Sequence, residues 1–187
     1  YFKNRNNLNN LKFIFEIAKK LNLKKIKIFQ AVNSFKELKY RQQILYSNKK
    51  LVIINDSKST SFSSSIELLK SYPNIYWIVG GKFKKGDKFL LNKKYYKNIN
   101  AYIYGKNKYF FVKNFRNKIQ YKTFKNIKDA LLRIIIDIKK NNSYPVCIIF
   151  SPSAASFDQF NNFEDRGKYF NYLIKKINIV KKINVRR

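Results

Sequence analysis

The stretch SPSAASFDQFNNFEDRG, residues 151 to 167, separates the apolar run YPVCIIF (144 to 150) from the amphipathic segment KYFNYLIKKI (168 to 177). It reads as the end of a strand, a polar loop and the start of a helix, and a helix start presents free backbone N–H groups to anions. Ser156 with Gln159 fits a capping box, and Asn161 with Glu164 fits a second, weaker one. Two helix starts after one strand suggest a built anion or carboxylate site; an ordinary strand-to-helix turn is the alternative.

Two other polar stretches share its character, NDSKST (55 to 60) and GGKFKKGDKF (80 to 89). The chain has only 10 acidic residues, and half of them, Asp56, Asp87, Asp158, Glu164 and Asp165, fall in these three stretches. So do Gly80, Gly81, Gly86 and Gly167, four of the five glycines. Special backbone geometry and negative charge are thus concentrated where the loops of a site would carry them.

Around these loops, strand and helix patterns alternate. LVII (51 to 54), IYWIV (75 to 79), AYIYG (101 to 105), IQYKTF (119 to 124) and YPVCIIF read as strands. Helices are expected from Ser64 to Tyr72, with Ser64 and Glu67 as a capping box, over 107 to 118, over 126 to 140 and up to Ile177, with a short helical piece near 89 to 96. The alternation predicts an α/β fold with a Rossmann-like, doubly wound, mainly parallel sheet, since parallel strands need crossover helices. Ligands in such sheets sit at the carboxyl ends of strands, and all three polar stretches follow strands, so they are expected to converge.

Residues 1 to 50 read as helical. Leu8, Leu11, Ile14, Phe15, Ala18 and Leu21 share one helical face, and Ile26, Phe29, Val32 and Phe35 share another. With no strand before them to pair with, they read as the tail of a domain whose earlier part lies outside the chain. The expected division is 1–48, the end of that truncated domain, and 49–187, the α/β domain.

Composition bounds the function. With 187 residues and 45% hydrophobic content the chain can build a core. Its apolar runs are far shorter than the roughly 20 residues of a membrane span. No signal-peptide pattern opens it, and a single cysteine cannot form an internal disulfide, which together point to the cytoplasm. Cys147 reads as an inert core thiol, because the chain has no histidine to activate it. A net charge of +31 suggests nucleic acid. The lysines are spread evenly among Asn, Ile, Phe and Tyr, however, as an A/T-rich genome produces, so a basic nucleic-acid-binding module remains the alternative of another class. No generic catalytic set can be assembled: histidine, a Cys/His zinc cluster and a GxxxxGK[ST] loop are all missing. What is offered is anion-binding chemistry, with Lys58, Lys82, Lys84 and Lys85, the hydroxyls of Thr60 and Ser156, and helix-start N–H groups.

In order and spacing, NDSKST, GGKFKKG and SPSAASFDQFNNFEDRG resemble the C-terminal domain of the Mur ligases. SFKELKYR (34 to 41) resembles the segment that joins the central and C-terminal domains of that family, and NNLNN (6 to 10) its Asn-containing helix start. The resemblance implies an ATP- and Mg2+-dependent, amide-forming ligase of peptidoglycan synthesis, cytoplasmic and monomeric. In such a ligase the alanyl carboxylate of UDP-N-acetylmuramoyl-L-alanine is activated as an acyl phosphate and attacked by the amino group of D-glutamate. A sister ligase adding another amino acid, or a folylpolyglutamate synthetase-like enzyme, shares the plan. Carried over by position, Thr60 and Lys84 would hold the α-carboxylate of D-glutamate, and Ser156, Phe157 and the backbone at Phe163 its side-chain carboxylate. Asn10, Arg41, Asp56 and Lys58 would line the nucleotide site. Asn6 and Tyr40 stand where the family usually has histidine. The family's ATP-binding loop and magnesium ligands have no counterpart in these 187 residues, so the chain alone is expected to be inactive.

Overall fold

In the computed structural model, the described residues are 5–35, 38–157 and 159–183. They form two compact units, 1–38 and 39–187. The first holds helices α1 (Arg5–Lys20) and α2 (Lys25–Ser34). The rings of Phe15 and Phe29 meet edge to face at 5.7 Å. Phe13, Ile17, Leu23 and Ile26 are among its exposed apolar residues.

The second unit is built on a six-stranded sheet in the order β1-β2-β6-β3-β4-β5. Its elements are β1 (Gln43–Ser47), β2 (Leu51–Asn55), α3 (Phe62–Lys70), β3 (Ile75–Gly80), a 3-10 turn (Lys93–Asn98), β4 (Ile99–Tyr104), α4 (Lys108–Phe115), β5 (Gln120–Thr123), α5 (Ile127–Asn141), β6 (Val146–Phe150), α6 (Phe163–Ile177) and α7 (Ile179–Lys182). Every neighbouring pair is parallel except β1 with β2. Alternation along the buried strands sends side chains to two separate cores. Ile148 and Phe150 pack with Ile134, Ile138, Phe170 and Leu173 of α5 and α6. Cys147 and Ile149 pack with Phe62, Leu69, Phe111 and Phe115 of α3 and α4. Helices therefore cover both faces, and the doubly wound, mainly parallel fold expected from the alternation is present.

Several local expectations are corrected. Residues 43–47 are not helical: they form β1, which folds back on β2 through a turn where Asn48 Oδ1 accepts from the N–H groups of Lys50 and Leu51. Helix α3 starts two residues early, and its capping box is Ser61 with Ser64, not Ser64 with Glu67. The helical piece near 89–96 is the 3-10 turn at 93–98. Ser156 does not start a helix. Its carbonyl accepts from the N–H groups of Gln159 and Phe160 in a single turn. One helix, α6, follows, capped by Asn162, whose side chain accepts from Asp165 N at 2.7 Å, one residue beyond the expected Asn161–Glu164 pair. The Asn162 side chain reaches the N3 amide directly, and Glu164 and Asp165 place negative charge on the first turn.

Candidate functional site

The sheet order determines where a ligand would sit. Strands β2 and β6 are neighbours, but β2 leads into α3 on one face and β6 leads towards α6 on the other. Connections that part in this way open a crevice at the carboxyl ends, and the next strand, β3, ends beside it. The loops 55–60, 151–162 and 80–89 therefore leave three adjacent strands at one edge, as the sequence pattern predicts.

Asp56 lies at the mouth of that crevice and is buried. Its Oδ2 accepts from Ser151 Oγ at 2.8 Å and its Oδ1 from the backbone N–H of Gln42 at 3.1 Å. Burial pushes its carboxyl up to about 7, against the hydrogen bonds from Ser151 and Gln42 and the charges of Arg41 and Arg166. Behind Ser151 runs a chain of buried hydroxyls. Ser65 Oγ lies 2.7 Å from Ser151 Oγ, 2.6 Å from Ser153 Oγ and 2.7 Å from Ser59 Oγ.

Arg166, fully buried on α6, ties two of the loops together. Its guanidinium donates to Ser57 Oγ at 3.1 Å, to the Ser57 carbonyl at 2.7 Å and to the Ala154 carbonyl at 2.9 Å. Ser57 Oγ in turn donates to the Phe163 carbonyl at 2.8 Å. The third loop joins through the paired backbones of Lys82 and Ala155, both bonds 2.9 Å, and through Asp87, whose carboxylate accepts from the first N–H of α3, that of Phe62, at 2.8 Å. Gly81 is required at this crossing: its φ is +127°, and a Cβ there would lie 2.6 Å from the Ala155 carbonyl oxygen.

Of the expected site residues, Thr60 and Lys84 are exposed on two of these joined loops, and Lys58 places its ammonium 3.8 Å above the Phe163 ring. Ser156 is buried, and its Oγ has no hydrogen-bond partner among the described residues, whereas Phe157 stands 71% exposed. Phe163 is the first residue of α6, where a backbone N–H has no intrahelical acceptor. Arg41 is exposed in the same unit. Asn10 belongs to the first unit, on α1, where it lines a groove of about 430 Å³ with Ile14, Ala18, Ile28, Ala31 and Val32. Asp158 lies outside the described residues. Cys147 is buried in the core, which pushes its thiol well above the usual range.

Sequence reasoning missed Arg166, Ser57, Ser65 and Ser151. A signal existed for Arg166: it shares the apolar stripe of α6 with Phe170, Leu173 and Ile177, and a charged residue on a core face must find acceptors there. Among the described residues, no group of three or more His, Cys, Asp or Glu side chains converges as a metal site would require, and no helix is long and apolar enough to cross a membrane.

No protein-family model matches the chain. It is 33% identical over 171 residues to a UDP-N-acetylmuramoylalanine–D-glutamate ligase of Wolbachia sp. subsp. Brugia malayi, covering 91% of this chain and 34% of that protein. It is 32% identical over 170 residues to the ligase of the same name from Rickettsia felis, covering 91% of this chain and 38% of that one. The crystal structure of MurF from Acinetobacter baumannii has the same fold, with a TM-score of 0.59 and 14% identity over 89% of this chain and 38% of that one. The chain therefore spans about a third of the length of the curated relatives it matches. With a shared fold, and with about a third of its residues identical over nine-tenths of its length, the chain belongs to the Mur ligase family.

Proposed function

We propose that these residues supply the amino-acid side of a cytoplasmic, ATP-dependent ligase that adds D-glutamate to UDP-N-acetylmuramoyl-L-alanine. The carrying observation is the joining of three polar loops at the ends of adjacent strands β2, β6 and β3. D-Glutamate is a dianion, and two carboxylates need two sets of donors. Lys84 and the Thr60 hydroxyl serve the α-carboxylate. Ser156, followed by the exposed Phe157, and the N–H of Phe163 at the start of α6 serve the distal one. Held at both ends, the substrate keeps its amino group directed at the acyl group, which converts an encounter into a positioned attack. Asp56, Lys58 and Arg41 form the nucleotide-facing set of the second unit, and Asn10 is the nucleotide contact the resemblance implies for the first. ATP supplies the phosphoryl group that activates the alanyl carboxylate. Magnesium ligands and the triphosphate loop come from outside these residues, so the chain alone does not turn over. Residues 1–38 are the end of the ATP-binding domain and 39–187 the C-terminal domain, a boundary ten residues before the expected one because β1 pairs into the sheet of the second unit.

The test is phosphate release by the full-length protein. Release that depends on ATP, UDP-N-acetylmuramoyl-L-alanine and D-glutamate together is the expected result. Release with L-glutamate or meso-diaminopimelate in place of D-glutamate would move the chain to a sister ligase.

A further inference from the structure

The hydroxyl chain behind Asp56 has a direction. A serine hydroxyl carries one proton and two lone pairs. Ser151 gives its proton to Asp56 Oδ2, so in its 2.7 Å contact with Ser65 it can only accept, and Ser65 donates. Ser65 Oγ also lies within hydrogen-bond distance of Ser59 Oγ and Ser153 Oγ, whose own protons have Ser64 Oγ and the Ser151 carbonyl as competing acceptors. Ser65 is thereby the meeting point of three other hydroxyls, and all three of these partners are buried. Its partners come from both sides of the crevice: Ser59 precedes Thr60 in the loop after β2, and Ser151 and Ser153 lie in the loop after β6. The charged groups facing Asp56 are Arg41, beside β1, and Arg166 of α6, and neither touches Ser65.

We propose that Ser65 is a positioning residue: by donating to Ser151 and lying in hydrogen-bond contact with Ser59 and Ser153, it holds the Asp56 carboxylate and the Ser59–Thr60 turn in one arrangement, coupling the nucleotide-facing and amino-acid-facing sides. This inference rests on the functional reading above. Losing the hub frees Ser151 to rotate away from Asp56 and loosens the turn that carries Thr60.

The test uses the full-length protein and two readouts. In the first, carbon-13-labelled aspartate follows the Asp56 carboxyl by NMR. Ser65→Ala should move its midpoint upward by about half a pH unit, because the charged form loses an oriented donor, and Ser65→Thr, which keeps the hydroxyl, should restore it. Ser65→Cys, similar in shape and a weak donor, replaces the alanine variant if that one does not fold. An unmoved midpoint overturns the proposal. In the second readout, Ser65→Ala should raise KM for both ATP and D-glutamate by roughly threefold to tenfold, with kcat changed less, and should add nothing to the ATP KM of Asp56→Asn. Additive effects, or a fall in kcat alone with a lowered melting temperature, would mean a merely structural serine. If the unaltered full-length protein releases no phosphate, it is the ligase reading that fails, and the titration decides the role of Ser65 by itself.

Discussion

Ser151 Oγ donates to Asp56 Oδ2 at 2.8 Å across the gap between two parallel strands whose chains leave on opposite faces of the sheet. The bond ties the loops after β2 and β6 together at the mouth of the crevice, with a buried acid between them.

Asp56 makes stability fall with rising pH. Its carboxyl is raised from 3.8 unfolded to about 7 folded, so the folded chain holds this proton more tightly. The contribution is fully present below the unfolded value and is lost as pH rises through the folded one, with a slope of up to about 1.4 kcal/mol per pH unit. Urea unfolding of this chain between pH 4 and 8, compared with Asp56→Asn, should show the slope only in the unaltered protein. Equal slopes would mean that Asp56 titrates as an ordinary carboxyl.

Gly167→Ala should destabilise, although alanine normally improves a helix interior by about 1 kcal/mol. A Cβ at Gly167 would meet the Tyr40 ring at 2.3 Å, and Tyr40 has no room to yield, being buried with a φ of +62° and its carbonyl bonded to Lys58 N. The expected loss is about 1–3 kcal/mol by overpacking. A raised melting temperature would show that Tyr40 moves freely.

Arg166→Lys should cost about 2–3 kcal/mol in spite of keeping the charge. One ammonium cannot reproduce the fork that reaches Ser57 Oγ, Ser57 O and Ala154 O, and a buried carbonyl loses its partner. Hydrogen exchange should rise in loops 55–60 and 151–162 before the rest of the sheet; uniform exchange would place the defect elsewhere.

Lys84→Ala in the full-length protein should raise the D-glutamate requirement far more than the ATP requirement. A charge-assisted carboxylate contact is worth about 1.5–3 kcal/mol, or roughly tenfold to a hundredfold in KM. Steady-state kinetics with each substrate varied in turn would reveal the reverse pattern, which would assign Lys84 to the nucleotide.

The sequence by itself determined the order of strands and helices from Leu51 onward, because period-2 and period-3.6 patterns report which faces are buried whatever the neighbours are. It also predicted that the three polar loops meet at one edge, since loops that follow parallel strands share one edge and the scarce acids and glycines mark them. It misread β1, whose five residues are too few to distinguish from a helix end and which owes its shape to pairing with β2. The capping positions missed by one to three residues for a similar reason: several Asn and Ser side chains compete for each helix start, and packing of the helix against the sheet chooses among them. The contacts of Arg166 and the serine hub at Ser65 were decided by tertiary structure alone. Their partners lie up to 109 residues away along the chain and become neighbours only when β2 and β6 pair, so nothing local could record that a buried guanidinium would find Ser57 and the Ala154 carbonyl, or that Ser65 would meet Ser151 and Ser153.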